Sequence, residues 1–401
     1  MASVDPGTLE TILTLCLLIF AAKVGGEAAQ RFGVAAVVGE LMAGIALGPS
    51  LLGNLAPLGF QPILVNETVR AFAEVGAIVL LFVAGMETRL AEFRKIGVLA
   101  ASVAIGGVVL PFALGYGFMV SRGTTTAEAL LAGATLTATS IAITVKVLRD
   151  LGKEKEPEAK VLVSAAVMDD VLGLVTLAVV LSIIAEGGIR AGEAVGIAFK
   201  AVGFLLLLTV AGALLLPRIV TRTVPWVKAR GTLEASAMAL CFGYAYLAGV
   251  AGLAPILGAF AAGMAIAETK ITIEIKEFAE KVSFLVAPLF FTVVGTLVDL
   301  SALSGPSVLL ALELTLLAIL GKVVGCGLPA YAFSREMKAA AIVGVGMISR
   351  GEVGLIIAGI GATSGVFSRE VFSAIVLMVV ITTVLTPIPL KRLYQRSIKK
   401  V

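Results

Sequence analysis

Two carboxylates stand side by side in an otherwise apolar run, "SAAVMDDVLGLVTLAVVLSII" (Ser164–Ile184). Asp169 and Asp170 lie in a segment long enough to cross a bilayer, roughly 12–15 Å along it at about 1.5 Å per helical residue. An ionised side chain at that depth costs about 2.5–3.5 kcal/mol on an insertion scale, so it needs a partner or a wet cavity. Successive helical residues point about 100° apart, so the two carboxylates cannot clasp one ion symmetrically. A division of labour is expected, with one facing a pathway and the other a fixed partner. Lys322, in "ILGKVVGCG" (Ile319–Gly327), lies at matching depth and can neutralise one of them. The other can then hold either a proton or a hard cation with oxygen ligands, which is the chemistry of ion exchange. A purely structural Asp–Lys bridge is the competing reading.

Two more polar clusters fall mid-segment. "TATS" (Thr137–Ser140) gathers hydroxyls, and "SRGE" (Ser349–Glu352) places Arg350 and Glu352 on either side of Gly351. In a continuous helix the hydroxyls would bond back to their own carbonyls. A broken helix instead exposes carbonyl oxygens and half-helix ends that can hold ions. A continuous helix would also aim Arg350 and Glu352 at nearly opposite faces; a break lets both turn inward. There they either compensate oppositely charged helix ends or pair with each other. Lys146, near the end of its segment, reads as a chain that snorkels to the interface.

The elements that carry these groups are membrane helices. The 401 residues are 59% hydrophobic and 14% charged, and mean hydropathy is +1.06. Long apolar runs rather than short alternating ones exclude a β-barrel and predict an all-α polytopic membrane protein. Thirteen segments are expected to span: 8–23, 33–50, 69–88, 97–120, 129–148, 161–185, 197–217, 232–250, 253–268, 282–300, 308–330, 339–361 and 371–390. Their short connections predict one compact membrane unit with no soluble domain appended. The N-terminus lacks a basic region and carries Asp5 and Glu10, so it reads as a first span rather than a signal peptide.

Basic residues support that count. Sorting the connections alternately puts 23 lysines and arginines on one side, against only Arg70, Arg122, Arg190, Lys200 and Arg369 on the other. The skew predicts an outside N-terminus and a cytoplasmic C-terminus. Cys16, Cys241 and Cys326 lie in apolar runs and read as small hydrophobes, and the chain has no histidine. "GVAAVVGELMAGIALGPS" (Gly33–Ser50) echoes "GLAPILGAFAAGMAIAET" (Gly252–Thr269), and "VLLFVAGMET" (Val79–Thr88) echoes "PLFFTVVGTLVD" (Pro288–Asp299). The echo carries segments two to six onto nine to thirteen with opposite entry sides, an inverted repeat of the transporter kind. It also carries the "TATS" cluster onto the "SRGE" cluster.

These motifs, together with "AEVGAIVLLFVAGMET" (Ala73–Thr88), "MDDVLGL" (Met168–Leu174), "GKVVG" (Gly321–Gly325) and "SRGEVGLI" (Ser349–Ile356), resemble the cation:proton antiporter superfamily. Within it they resemble sodium/proton antiporters of the NapA kind. The resemblance implies thirteen transmembrane helices as inverted repeats with two crossed, interrupted helices, the NhaA-like antiporter fold. It implies dimerisation-scaffold helices in 1–96 and 232–307, a linker helix in 191–231, and ion-carrying core helices in 97–190 and 308–401. It implies that Asp170 holds Na+ or a proton alternately, that Asp169 pairs with Lys322, and that Thr139 and Ser140 line the site. The implied protein is an electrogenic Na+ (or Li+)/H+ exchanger of the prokaryotic cell membrane serving pH homeostasis. It would be a homodimer in the lipid bilayer whose core slides past its scaffold, with no cofactor beyond the transported ions and no nucleic-acid partner. A K+/H+ antiporter of the same fold is the alternative. A cation channel is disfavoured by the Asp–Lys pairing and the repeat. An intramembrane aspartyl protease needs two aspartates facing each other from different helices, and these are adjacent on one. The protein is therefore expected not to be an enzyme.

Overall fold

The computed structural model describes residues 6–48, 51, 52, 65–88, 97–140, 144, 147, 148, 151–153, 155–185, 191–223, 229, 231–300 and 305–395. All regular structure among them is helical, and eight helices are long and apolar enough to cross a membrane. This is an all-α polytopic membrane protein. Several helices overrun the apolar segments. For example, α1 (Pro6–Arg31) continues past position 23 to a basic end. The reason is that backbone hydrogen bonds carry a helix into the headgroups and water, whereas hydropathy marks only the part in hydrocarbon.

Long-range packing divides the chain into two compact units, 1–31 with 39–92 and 181–297, and 32–38 with 93–180 and 298–401. Loop length limits how far consecutive helices can separate, but not which helices bury against which.

The first unit contains α1, most of α2 (Ala36–Leu47), α3 (Glu67–Glu87), α7 (Ala191–Thr223), α8 (Thr232–Val250), α9 (Pro255–Ala267) and α10 (Thr272–Thr296). Small residues let these backbones touch, as membrane helix pairs require in the absence of a hydrophobic drive between them. A Cβ on Gly263 of α9 would lie 2.1 Å from the Phe82 carbonyl of α3. The Thr292 hydroxyl of α10 donates to the Glu40 carbonyl of α2 at 3.3 Å.

The second unit holds all the residues singled out for chemistry. Its helices are α4 (Val98–Ser121), α5 (Thr126–Thr137), α6 (Pro157–Ala185, to position 180), α11 (Gly305–Ser334), α12 (Met337–Gly346), α13 (Glu352–Thr363), α14 (Arg369–Leu385) and α15 (Pro387–Gln395). Its core uses alanines of α4, α6 and α11 around Cys326 and Met347. Two helix starts are tied together by one acid. Thr125 caps α5 by accepting from the Glu128 N–H at 3.2 Å. The Glu128 carboxylate accepts from the Ser368 N–H, at the start of α14, at 3.1 Å. A carboxylate at two N-termini answers both unpaired N–H groups and helix dipoles.

Neither mid-segment cluster lies in a continuous helix. In the expected span 129–148 the first helix ends at Thr137, residues 138–140 are extended or irregular, and the described residues 144, 147 and 148 are helical again. The expected span 339–361 divides into α12 and α13 around residues 347–351. Lys146 and its expected snorkelling lie outside the described residues.

Candidate functional site

The site grows from the crossing of α4, α6 and α11. A Cβ on Gly106 of α4 would lie 2.1 Å from the Gly325 carbonyl of α11. The two backbones therefore meet directly, and this contact sets the depth and rotation of Lys322, less than one turn before Gly325. The Lys322 Nζ donates to Asp169 Oδ1 of α6 at 2.7 Å, and both side chains are fully buried. Their charges cancel where hydrocarbon and protein exclude water. Asp169 Oδ2 and the nearby Thr139 hydroxyl have no hydrogen-bond partner. One carboxylate oxygen is thus committed to the ammonium, while the other remains an unused acceptor. Asp170, one residue on and rotated away, is half-buried.

The two interrupted helices meet at their breaks. The Ser140 N–H donates to the Ser349 carbonyl at 2.9 Å. The Ser349 hydroxyl donates to the Ser140 carbonyl at 2.7 Å. Residues 140 and 349 therefore satisfy each other's backbone groups, as non-helical chain at membrane depth must. A second tie runs from the Thr144 hydroxyl to the Gly346 carbonyl at 2.6 Å. Gly351 completes the close approach: a Cβ there would lie 2.5 Å from the Ser140 Cβ.

Arg350 sits at this crossing with no exposed surface. Its guanidinium donates to the Ile348 carbonyl at 2.7 Å and the Leu136 carbonyl at 2.7 Å, and more weakly to Ala318 at 3.2 Å and Met347 at 3.4 Å. Leu136 belongs to the last turn of α5, and Met347 and Ile348 immediately follow α12. One cation therefore answers the carbonyl ends of both half-helices, where the backbone dipoles concentrate negative charge. The Thr383 hydroxyl of α14 donates to the Arg350 carbonyl and fixes the chain on which the guanidinium stands. Glu352 begins α13, at the positive end of the next half-helix; its side chain lies outside the described residues.

A family model described as sodium/hydrogen exchanger, transmembrane, matches residues 15–396. The chain belongs to the sodium/hydrogen exchanger family. Relatives of this exchanger family member include the Na(+)/H(+)-K(+) antiporter GerN of Bacillus cereus, 35% identical with 95% of this chain and 96% of the relative aligned. The high-affinity Na(+)/H(+) antiporter NhaS3 of Synechocystis is 37% identical, over 97% of this chain and 91% of the relative. The fold is similar to that of the sodium proton antiporter MjNhaP1 from Methanocaldococcus jannaschii, with a TM-score of 0.72, 16% identity and 96% of each chain covered.

In this exchanger, Asp169, Lys322, Thr139, Ser140 and Arg350 are brought to one crossing, and Asp170 adjoins it on α6. Several contributors escape sequence reasoning. Gly107 and Cys326 close on the ion pair: a Cβ on Gly107 would lie 2.5 Å from Cys326 Sγ, 3.4 Å from Lys322 Nζ and 3.5 Å from Asp169 Oδ1. Thr383 and the carbonyls of Leu136 and Ala318 are likewise unmarked in the sequence. One glycine among 44, or a main-chain carbonyl, gives no compositional signal.

Proposed function

We propose that this chain exchanges Na+ or Li+ for H+ across a cell membrane. The observation that carries the reading is the buried Lys322–Asp169 pair with a second, half-buried carboxylate beside it. Lys322 neutralises Asp169 and leaves Asp170 as the group that changes occupant. A proton on Asp170 makes it a poor cation ligand; a bound cation excludes the proton. Thr139, Ser140 and the free Asp169 oxygen supply further oxygen ligands of the kind a hard cation prefers. The crossed breaks keep opposing half-helix ends near the ion, and Arg350 prevents the carbonyl ends from binding it unproductively.

In this reading the thirteen expected segments all cross, with the N-terminus outside and the C-terminus in the cytoplasm. Residues 1–96 and 232–307 serve as the scaffold of a homodimer, 191–231 as a linker, and 97–190 with 308–401 as an ion-carrying core. The two interrupted helices are the repeat-related elements. The core moves past the scaffold so that one site opens to each side in turn. The Asp169–Lys322 combination argues for electrogenic exchange, in which the protons moved outnumber the cations. The protein transports rather than catalyses, and its only ligands are the carried ions. K+/H+ exchange is the second reading; the name of the relative GerN, a Na(+)/H(+)-K(+) antiporter, favours it.

The test is reconstitution in liposomes with a trapped pH dye, adding Na+, Li+ or K+ in turn. Wild-type protein moves protons on addition of its cation, and Asp170→Asn does not. Transport by Asp170→Asn at the wild-type rate would overturn the assignment.

A further inference from the structure

The contacts of α4 point beyond the carboxylates. Gly107 presents a bare Cα to the hydrogen-bonded end of the Asp169–Lys322 pair, and Cys326 fills the space beside it. Three distances define the arrangement. A Cβ at position 107 would meet the Cys326 sulfur at 2.5 Å, the Lys322 ammonium at 3.4 Å and Asp169 Oδ1 at 3.5 Å. The first is a collision; the other two are tight to ordinary contact. Widening the crossing to relieve it would give up a close backbone contact. One residue earlier, Cβ atoms on Gly106 and on Gly325 would lie 2.1 Å and 2.3 Å from each other's carbonyl oxygens. Cys326 has no room to retreat, being fully buried among Ala100, Val103, Ala104, Ala166 and Ala330.

We propose that Gly107 and Cys326 are positioning residues that seat the Lys322 ammonium on Asp169 Oδ1, and that the combined bulk at these two positions sets cation affinity. This rests on the exchange reading above and extends it to residues with no charge and no ligand oxygen. The physical link is direct. Bulk at 107 forces the thiol toward the ammonium and lifts Lys322 from the carboxylate. Asp169 then faces the cation site as an unneutralised negative charge. A cation binds more tightly beside it and leaves more slowly, because a nearby unit charge in a low-dielectric site favours the bound state. The charged groups facing the pair come from three elements: Asp169 with adjacent Asp170 from α6, Lys322 from α11, and Arg350 from the break after α12. Cys326 and the unpartnered Thr139 hydroxyl are the uncharged neighbours, and α4 brings no charge to this contact.

The experiment is cation-driven proton movement in liposomes by wild type, Gly107→Ala, and the double variant Gly107→Ala/Cys326→Ala, with thermal melting of each in detergent. Gly107→Ala should lower both KM for the cation and turnover, each on the order of tenfold. The double variant, which removes the sulfur that the new methyl strikes, should return KM toward wild type and recover the melting temperature. A merely damaged fold would lower turnover with KM unchanged. If Gly107→Ala does not fold, recovery of folding by Cys326→Ala supports the seat, and failure of the double variant overturns it. An unchanged KM in a folded Gly107→Ala, or no restoration by Cys326→Ala, also overturns it. These outcomes are separable from the exchange reading. Should wild type move no protons with any cation, that reading falls, while the melting series still decides whether Gly107 and Cys326 interlock.

Discussion

Replacing Lys322 with Met removes the ammonium that lies 2.7 Å from Asp169 Oδ1. Methionine has nearly the length of the lysine stem, so little volume is lost. What remains is a carboxylate with no exposed surface, whose second oxygen already lacks a partner. Breaking a buried pair in this way costs about 3–5 kcal/mol, because the survivor is an uncompensated charge. Asp169→Asn strands the ammonium instead and should cost a comparable amount. The double variant Asp169→Asn/Lys322→Met leaves no charge at either position, and replacing both members of a buried pair is often near neutral. For domains of 150–250 residues each kcal/mol moves the melting temperature by about 2–4 °C. Each single variant should therefore melt roughly 6–20 °C below wild type, and the double variant well above the sum of the two losses. The assay is thermal unfolding of purified protein in detergent, followed by dye or tryptophan fluorescence; Trp226 is the single tryptophan. Additive losses in the double variant, or a Lys322→Met protein that melts with wild type, would refute the argument that these two charges exist in the membrane only by virtue of each other.

Two further outcomes follow from the crossing. Arg350→Lys keeps the positive charge but loses the planar fork that reaches Leu136, Ile348 and Ala318 together. With charged hydrogen bonds contributing about 1.5–3 kcal/mol each, it should lower stability by several kcal/mol, read as a large fall in melting temperature. Wild-type melting would show that the guanidinium does not hold the half-helix ends. Gly351→Ala places a methyl 2.5 Å from the Ser140 Cβ and must open the crossing. Turnover in liposomes should fall on the order of a hundredfold, by analogy with ångström-scale misplacement in other sites, and Ser140→Gly in the same chain should recover part of it.

Much of the site was legible because lipid makes polarity conspicuous. Asp169, Asp170, Lys322, Arg350 and Glu352 stand out against apolar neighbours, since each must have a partner to remain at that depth. The two helix breaks were legible for a related reason: hydroxyls, glycine and paired charges mid-segment signal backbone that needs other partners. The all-α class and membrane residence follow from composition alone. Pairing is different in kind. Adjacent aspartates are equivalent in sequence, and only the rotation of α6 against α11 assigns Asp169 to Lys322. The α11 side of that rotation is set by the contact of Gly106 on α4 with Gly325, residues far apart in the chain. Arg350 was legible as a charge for helix ends, but its acceptors, at Leu136, Ile348, Ala318 and Met347, are main-chain carbonyls that any residue would have supplied. The bare Cα of Gly107 and the thiol of Cys326 became parts of the site only once three helices had packed. Hydrophobicity and charge are properties of residues, readable one position at a time. Which oxygen meets which nitrogen is a property of helix rotation and depth, fixed by close packing between distant segments.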